Sequence, residues 1–348
     1  MLLEGLHLPL TTPFYPDGRL YLRKLEHNVD RYSKTPVSGL AVLSERGEPS
    51  LVSDEDALQV LSKAIGAAAE SKVMLAGVSR DSVRGTLELA DAAAELGYDA
   101  VLVKRPVVLG NTAVQEIVTY FRAVADRAGI PVVLYSTKQA VLPVDVVREL
   151  AGHSQILGVV DEVMDAGRIE AIREATVQVR REVTVTNVFA AVTGRMIAVQ
   201  AATGSATFVH AGSLTEGGAA VAVAPPKPAI RTRMKTVGFQ HIAARTAGML
   251  DGLRAGSVGV MPALAAAAPQ ACYEVLAAWK DGDLPLAEEK GQRLAEAVAQ
   301  IEERLGVPGI RYASDLNGYF GGLPRLPLLP LPAAERQAVE AAMSGIRS

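Results

Sequence analysis

From Leu6 to about Ala175, short apolar runs alternate with amphipathic stretches of helical length. The apolar runs are Leu6–Leu10, Gly39–Leu43, Val73–Gly77, Ala100–Val103, Val132–Tyr135 and Ile156–Val160. Each is nearly continuous rather than alternating, the pattern of strands covered on both faces. Between them, Leu20–Tyr32, Asp54–Ala69, Ser82–Leu96, Thr112–Ala128 and Val144–Ala151 read as helices. Ser53 followed by Asp56 is close to a capping box, and Gly97 and Gly129 stand at C-terminal stops.

Six strand-helix units in a row imply a parallel sheet with right-handed crossovers, either open and doubly wound or closed as a (β/α)8 barrel. A dinucleotide-binding sheet needs a glycine-rich turn after its first strand. The turn here is Thr11-Thr12-Pro13-Phe14, so the expected class is α/β, a (β/α)8 TIM barrel with additional C-terminal helices. Two segments compete for the seventh strand: Val183–Asn187, or the segment just before Gly248-Met249-Leu250-Asp251. Gly256–Met261 reads as the last strand, and Ala263–Trp279, Leu286–Leu305, Arg311–Phe320 and Pro332–Met343 as closing helices, with a turn at Gly306–Gly309. The expected division is a barrel over 1–270 with an insertion around 204–245, then a helical region over 271–348 packed on the barrel.

Composition narrows the class. Of 348 residues, 49% are apolar and 21% charged, which supplies a large core and excludes disordered and fibrous chains. A net charge of -3 leaves no overall basic footprint for nucleic acid. The stretch Val183–Leu250 is locally basic, with one acid, Glu216, against Arg195, Lys227, Arg231, Arg233, Lys235 and Arg245; it reads as a solvated insertion. Cys272 is the single cysteine and reads as a packed thiol. The first ten residues carry no basic region ahead of an apolar stretch, and the alanine-rich run after Met261 is broken by Pro269. Neither a secretory leader nor a membrane span is expected, and a cytoplasmic location is. His7, His27, His153, His210 and His241 are scattered, so no metal or other cofactor is expected.

Ile156-Leu157-Gly158-Val159-Val160-Asp161 is a buried strand running into a polar turn. An amine at the end of such a strand can form a Schiff base with a keto acid; the valine at 160 cannot.

Thr11-Thr12-Pro13-Phe14 with Asp17-Gly18, Gly47-Glu48 before Leu51-Val52-Ser53, Gly77-Val78-Ser79, and Gly97-Tyr98-Asp99-Ala100 follow one another along the chain. Pro131–Tyr135, Ile156-Leu157-Gly158, Ala255–Gly259, Gly282-Asp283 and Leu323–Pro327 continue the series. In this order the motifs resemble the dihydrodipicolinate synthase and N-acetylneuraminate lyase family, over nearly the whole chain apart from the insertion. The resemblance implies a class I aldolase barrel, dimeric or tetrameric, acting on pyruvate or a related 2-oxo acid. It also implies an imine-forming lysine on the sixth strand, a proton-relaying tyrosine on the fifth, and a hydroxyl pair with backbone amides after the second for the carboxylate.

Carried over residue by residue, Tyr135 matches the tyrosine, and Val160 stands where the lysine belongs. The second-strand turn reads Ser44-Glu45-Arg46-Gly47-Glu48, with an acid and an arginine in place of two threonines. Ser44 and Gly47 keep a hydroxyl and an amide there, and Arg46 is suited to clamp a carboxylate or to pair with Glu45. Pro106-Val107-Val108 lacks the relay aromatic, and Ala140 stands near the place of the substrate arginine, with Lys138 close by. Lys104, at the end of the fourth strand, and Lys138 are the candidate replacement amines, since a desolvated lysine becomes nucleophilic.

The expectation is therefore a lyase or aldolase-type enzyme on a pyruvate-like 2-oxo acid or aldol substrate, working by an atypical route. Its expected catalytic residues are Tyr135, Glu45 and Lys104; its substrate-binding residues are Ser44, Arg46, Gly47, Lys138 and Val160. The alternative is an inactive relative serving as a small-molecule binding or assembly module. Expected partners are a carboxylate-bearing small molecule and further copies of the chain, with no nucleic acid and no membrane.

Overall fold

The computed structural model describes residues 1–110, 113–163, 165–204 and 230–347. Ten strands occur among them: β1 (Gly5–Pro9), β2 (Gly39–Val42), β3 (Val73–Gly77), β4 (Ala100–Lys104), β5 (Val132–Ser136), β6 (Ile156–Asp161), β7 (Arg181–Thr186), β8 (Thr232–Val237), β9 (Gln240–Ala243) and β10 (Gly259–Val260). Eight of these close into a parallel barrel in the order β1-β10-β9-β6-β5-β4-β3-β2. The six expected strands from Leu6 to Val160 are all barrel strands, and the fold is the expected (β/α)8 barrel with C-terminal helices.

The competition for the seventh place resolves in favour of the later segment: β9 pairs with β6 and β10, whereas β7 pairs only with β8 in a separate antiparallel ribbon. Within the span 204–245 ascribed to an insertion, Gln240–Ala243 is thus barrel strand. Residues 205–229, including His210, Glu216 and Lys227, lie outside the described residues.

Barrel closure depends on close backbone approach at two glycines. A Cβ on Gly77 would overlap the Leu43 carbonyl, and one on Gly158 the Gln240 carbonyl. Side chains then divide by strand alternation. Val101, Val103, Val132, Leu134, Ile156 and Val159 join the cluster shared with the outer helices. Ala100, Leu102, Val133, Tyr135, Val160, Ile242 and Met261 form the cluster that fills the barrel.

The helix signals act locally as read. Ser53 Oγ accepts from the Asp56 amide at 3.1 Å, and Ser82 Oγ from Gly85 at 3.0 Å. Gly97 closes its helix at φ +87°. Three closing elements differ from expectation. The alanine-rich Ala263–Trp279 splits into a 3-10 turn, Ala263–Ala266, and a helix, Pro269–Lys280, because proline enters a helix only at its first turn. Leu286–Leu305 becomes Leu284–Arg293, Ala295–Ala297 and a π-helical stretch, Val298–Leu305. Gly306–Gly309, expected as a turn, opens the helix Gly306–Leu316.

The basic residues around the ribbon are solvated only in part: Arg231 and Arg233 are exposed, while others are tied down. Arg181 Nη2 donates to the Ala151 and His153 carbonyls at 2.8 and 2.9 Å, at the C-terminal end of Val144–Ala151. Arg195 Nη1 donates to Ala68 and Ala69, each at 3.2 Å, at the end of Asp54–Ala67. Helix C-termini present unpaired carbonyls and the negative end of the dipole, so guanidinium groups settle there. Lys235 pairs with Glu4 at 2.5 Å.

Candidate active site

The chain leaves β2 through a turn flanked by two non-glycine residues at positive φ, Leu43 at +55° and Glu48 at +56°. Such conformations cost about 1–2 kcal/mol each. They are held by a buried framework. Arg311, fully buried, donates from Nε to Glu48 Oε1 at 2.6 Å and from Nη2 to the Thr12 carbonyl at 2.6 Å. Thr12 Oγ1 donates to the Gly47 carbonyl at 2.7 Å, and the Arg325 amide to Glu48 Oε2 at 3.3 Å. The Gly47-Glu48 and Leu323–Pro327 motifs thereby meet as scaffold, with Ser44, Glu45 and Arg46 projecting from it.

Lys104, Tyr135 and Val160 lie side by side at the carboxyl ends of β4, β5 and β6, where Lys104 is in register with Tyr135 and Tyr135 with Val160. Tyr135 and Val160 belong to the barrel-filling cluster, and Lys104 shares the inward parity of Ala100 and Leu102. Val160 is therefore an inward-facing, fully buried aliphatic residue in this layer.

The Tyr135 hydroxyl donates to Glu162 Oε1 at 3.1 Å, and the same oxygen lies 3.5 Å from Arg46 Nη2. Glu162 Oε2 accepts from the Lys138 amide at 3.1 Å. Burial pushes the Tyr135 phenol well above its usual range, reinforced by Glu162 and Glu45 and opposed by Arg46. Burial works against the Arg46 cation, but Glu162, Tyr135, Glu302 and Glu45 outweigh it and hold Arg46 above its ordinary value. Arg46 is therefore a permanent charge beside a protonated phenol.

Glu45 and Arg46 do not pair with each other; Glu45 Oε1 is 2.7 Å from Lys104 Nζ. The two side chains diverge from the turn, Glu45 reaching the end of β4 and Arg46 the residue just after β6. Lys138 Nζ is about half exposed and reaches Glu303 at 3.2 Å, and Arg245 bonds the same carboxylate. Ser44 Oγ is buried with no partner among the described residues. The Gly47 amide is already engaged by the Ser44 carbonyl at 2.8 Å.

Glu162 is the site residue that the sequence reading missed. It stands two places after Val160 and so shares its face in an extended strand, a signal present in the period-two alternation. Glu302 was missed as well. It is buried in the π-helical stretch, accepts from the Thr246 amide at 3.3 Å, and is raised by burial against the pull of Thr246 and Arg46. No sequence period announces it. Asp161 faces outward to Arg168 at 2.8 Å and takes no part in the mouth. Among the described residues, no three His, Cys, Asp or Glu side chains are grouped to hold a metal ion. No described helix is long and apolar enough to cross a membrane.

Chemically, the mouth offers a buried cation for a carboxylate, a hydroxyl donor, a phenol-carboxylate pair for proton transfer and an amine paired to an acid. The sequence profile described as the Dihydrodipicolinate synthetase family matches residues 2–179 and 236–346, leaving out β7 and most of β8. The chain is 27% identical over 347 residues to the 4-hydroxy-tetrahydrodipicolinate synthase of Acidiphilium cryptum (strain JF-5), covering 99% of this chain and 98% of that one. It is also 27% identical over 353 residues to the L-threo-3-deoxy-hexylosonate aldolase of Hypocrea jecorina, covering 99% and 95%. Among solved structures, a prophage protein of the dihydrodipicolinic acid synthase family from E. coli K12, in complex with pyruvate, superposes with a TM-score of 0.76 at 21% identity, covering 99% of each chain.

Proposed function

The chain belongs to the dihydrodipicolinate synthetase family, whose members are lyases and aldolases, and from that premise we propose a lyase acting on a pyruvate-like 2-oxo acid or its aldol adduct. Arg46 holds the substrate carboxylate, with Ser44 as a neighbouring donor. Tyr135 and Glu162 move the proton. The reading rests on one observation above all: Tyr135 Oη, Glu162 Oε1 and Arg46 Nη2 converge within 3.1 and 3.5 Å in the layer that also holds Val160.

In the resting arrangement Glu162 neutralises Arg46. An incoming carboxylate offers Arg46 a bidentate partner in its place, which frees Glu162 to accept the phenol proton. Tyr135 then takes a proton from a substrate hydroxyl as it passes its own to Glu162. Because burial raises the phenol, a free tyrosinate is not the resting base; the carboxylate beside it supplies the driving force. The sixth strand contributes no amine to this chemistry.

The test is pyruvate release from 4-hydroxy-2-oxo acids, followed with a coupled lactate dehydrogenase. Turnover should fall by ~100-fold or more in Tyr135→Phe, the usual scale for a lost acid-base group. Arg46→Lys should raise KM more than it lowers kcat, because a bidentate contact becomes a point charge. Absence of pyruvate release from any such acid would defeat the lyase assignment. Val160 favours a second reading, a barrel that binds a 2-oxo acid without turning it over, and pyruvate binding without cleavage would establish it.

A further inference from the structure

We propose that the imine-forming amine of this protein stands on the fourth barrel strand, as Lys104. The proposal rests on the 2-oxo acid reading above and names the covalent anchor that reading lacks.

Tyr135 has two neighbours in register, Lys104 on one side and Val160 on the other. Adjacent strands are about 4.8 Å apart on either side. An amine on β4 is therefore as close to the phenol as an amine on β6, and it reaches the mouth from the opposite flank. Lys104 has the inward parity of Ala100 and Leu102, and its side chain is 20% exposed.

Glu45 gives this amine what imine formation requires. Its Oε1 lies 2.7 Å from Lys104 Nζ, close enough to exchange a proton. Lys138, the other candidate, is about half exposed and its ammonium faces Glu303.

The chemistry balances with these groups. Glu45 takes one proton from the Lys104 ammonium, and the neutral amine adds to the C2 carbonyl carbon of the oxo acid. Glu45 returns that proton to the alkoxide oxygen, takes a second proton from the nitrogen and delivers it to the resulting hydroxyl, which leaves as water, and a protonated imine remains. When the C3–C4 bond breaks, its electron pair forms the C2–C3 double bond and the C2–N π pair moves onto nitrogen, giving an enamine. The C4 hydroxyl proton goes to Tyr135 as Tyr135 passes its own to Glu162, and the C4 fragment leaves as an aldehyde. Protonation at C3 and hydrolysis then release the oxo acid and the amine.

The experiment is borohydride reduction of the full-length protein with pyruvate, read by intact mass and peptide mapping. Wild type and Lys104→Met are compared, and pyruvate binding is measured separately by saturation-transfer NMR. The expected result is a single reduced adduct on the Lys104 peptide, absent from Lys104→Met, which still binds pyruvate. An adduct at Lys138 or elsewhere overturns the proposal, as does an unmodified wild-type chain that binds pyruvate; in the latter case the carboxylate-binding reading survives. A chain that neither binds nor reacts with pyruvate overturns both.

Discussion

Arg311 and Glu48, 263 positions apart in the chain, form an ion pair at 2.6 Å with both side chains almost wholly withdrawn from solvent. The pair joins the C-terminal helix Gly306–Leu316 to the turn that carries Ser44, Glu45 and Arg46. Removing one member of a buried pair leaves an uncompensated charge and costs about 3–5 kcal/mol, whereas removing both together is far milder. Arg311→Met should therefore lower stability to urea by that amount. Arg311→Met with Glu48→Gln should recover much of the loss, and a double variant as unstable as the single would show that the charge is not the cause.

The Arg46–Glu162 contact should behave differently because it belongs to a site. Glu162→Gln keeps the shape and a hydrogen-bond acceptor for Tyr135 but removes the proton acceptor and the counter-charge of Arg46. Glu302 and Glu45 still act on Arg46, so we expect a loss of stability smaller than that of Arg311→Met. Binding of pyruvate should tighten, because Arg46 no longer needs to exchange partners, while any cleavage activity falls. Calorimetric titration with pyruvate checks the first; weaker binding in Glu162→Gln would contradict the exchange of partners on Arg46.

His7 provides a pH signature at the core of the barrel. It is fully buried, its Nε2 faces the Leu3 carbonyl at 2.9 Å, and burial lowers it from 6.5 to about 4. The folded-state value lies below the unfolded one, so the neutral imidazole contributes stability that is present above pH 6.5 and is lost as pH falls towards 4. Two and a half units correspond to roughly 3 kcal/mol. The difference in urea stability between wild type and His7→Asn should shrink by about that much between pH 7 and pH 4. A difference independent of pH would mean that His7 titrates alike in the folded and unfolded chain.

The barrel was legible because each of its first six strands is a compact apolar run closed by a capped helix, and local physics sufficed for Ser53, Ser82 and Gly97. The seventh strand was not, because β7 carries the alternating pattern of a one-sided strand, Val183 and Val185 buried between exposed neighbours, and competes with Gln240–Ala243 on pattern alone. The basic stretch misled in part for a related reason. Charge counts do not reveal that Arg195 ends on helix carbonyls contributed by a segment about 127 residues away. In the candidate site, Tyr135, Arg46, Glu45 and Lys104 meet at the mouth, yet their pairing is set by the way Glu45 and Arg46 diverge from the turn. Adjacency in sequence suggested Glu45 with Arg46, and the barrel crosses them over to Lys104 and Glu162.

Val160→Lys would place an amine on the sixth strand, and its outcome bears on both flanks of Tyr135. The position is inward-facing, fully buried and in register with the phenol. An ammonium there is desolvated, which lowers its pKa and favours the nucleophilic neutral amine. The cost is a drop in stability of about 2–4 kcal/mol for placing an ionisable chain in a packed apolar layer. In Val160→Lys combined with Lys104→Met, borohydride reduction with pyruvate should give one adduct, on the peptide spanning position 160. With Lys104 retained, the two amines should compete and the adduct should divide between the β4 and β6 peptides. A well-folded double variant that binds pyruvate and yields no adduct would mean that the mouth of this barrel no longer presents the C2 carbonyl to its sixth strand at all, so that β4 alone remains within reach.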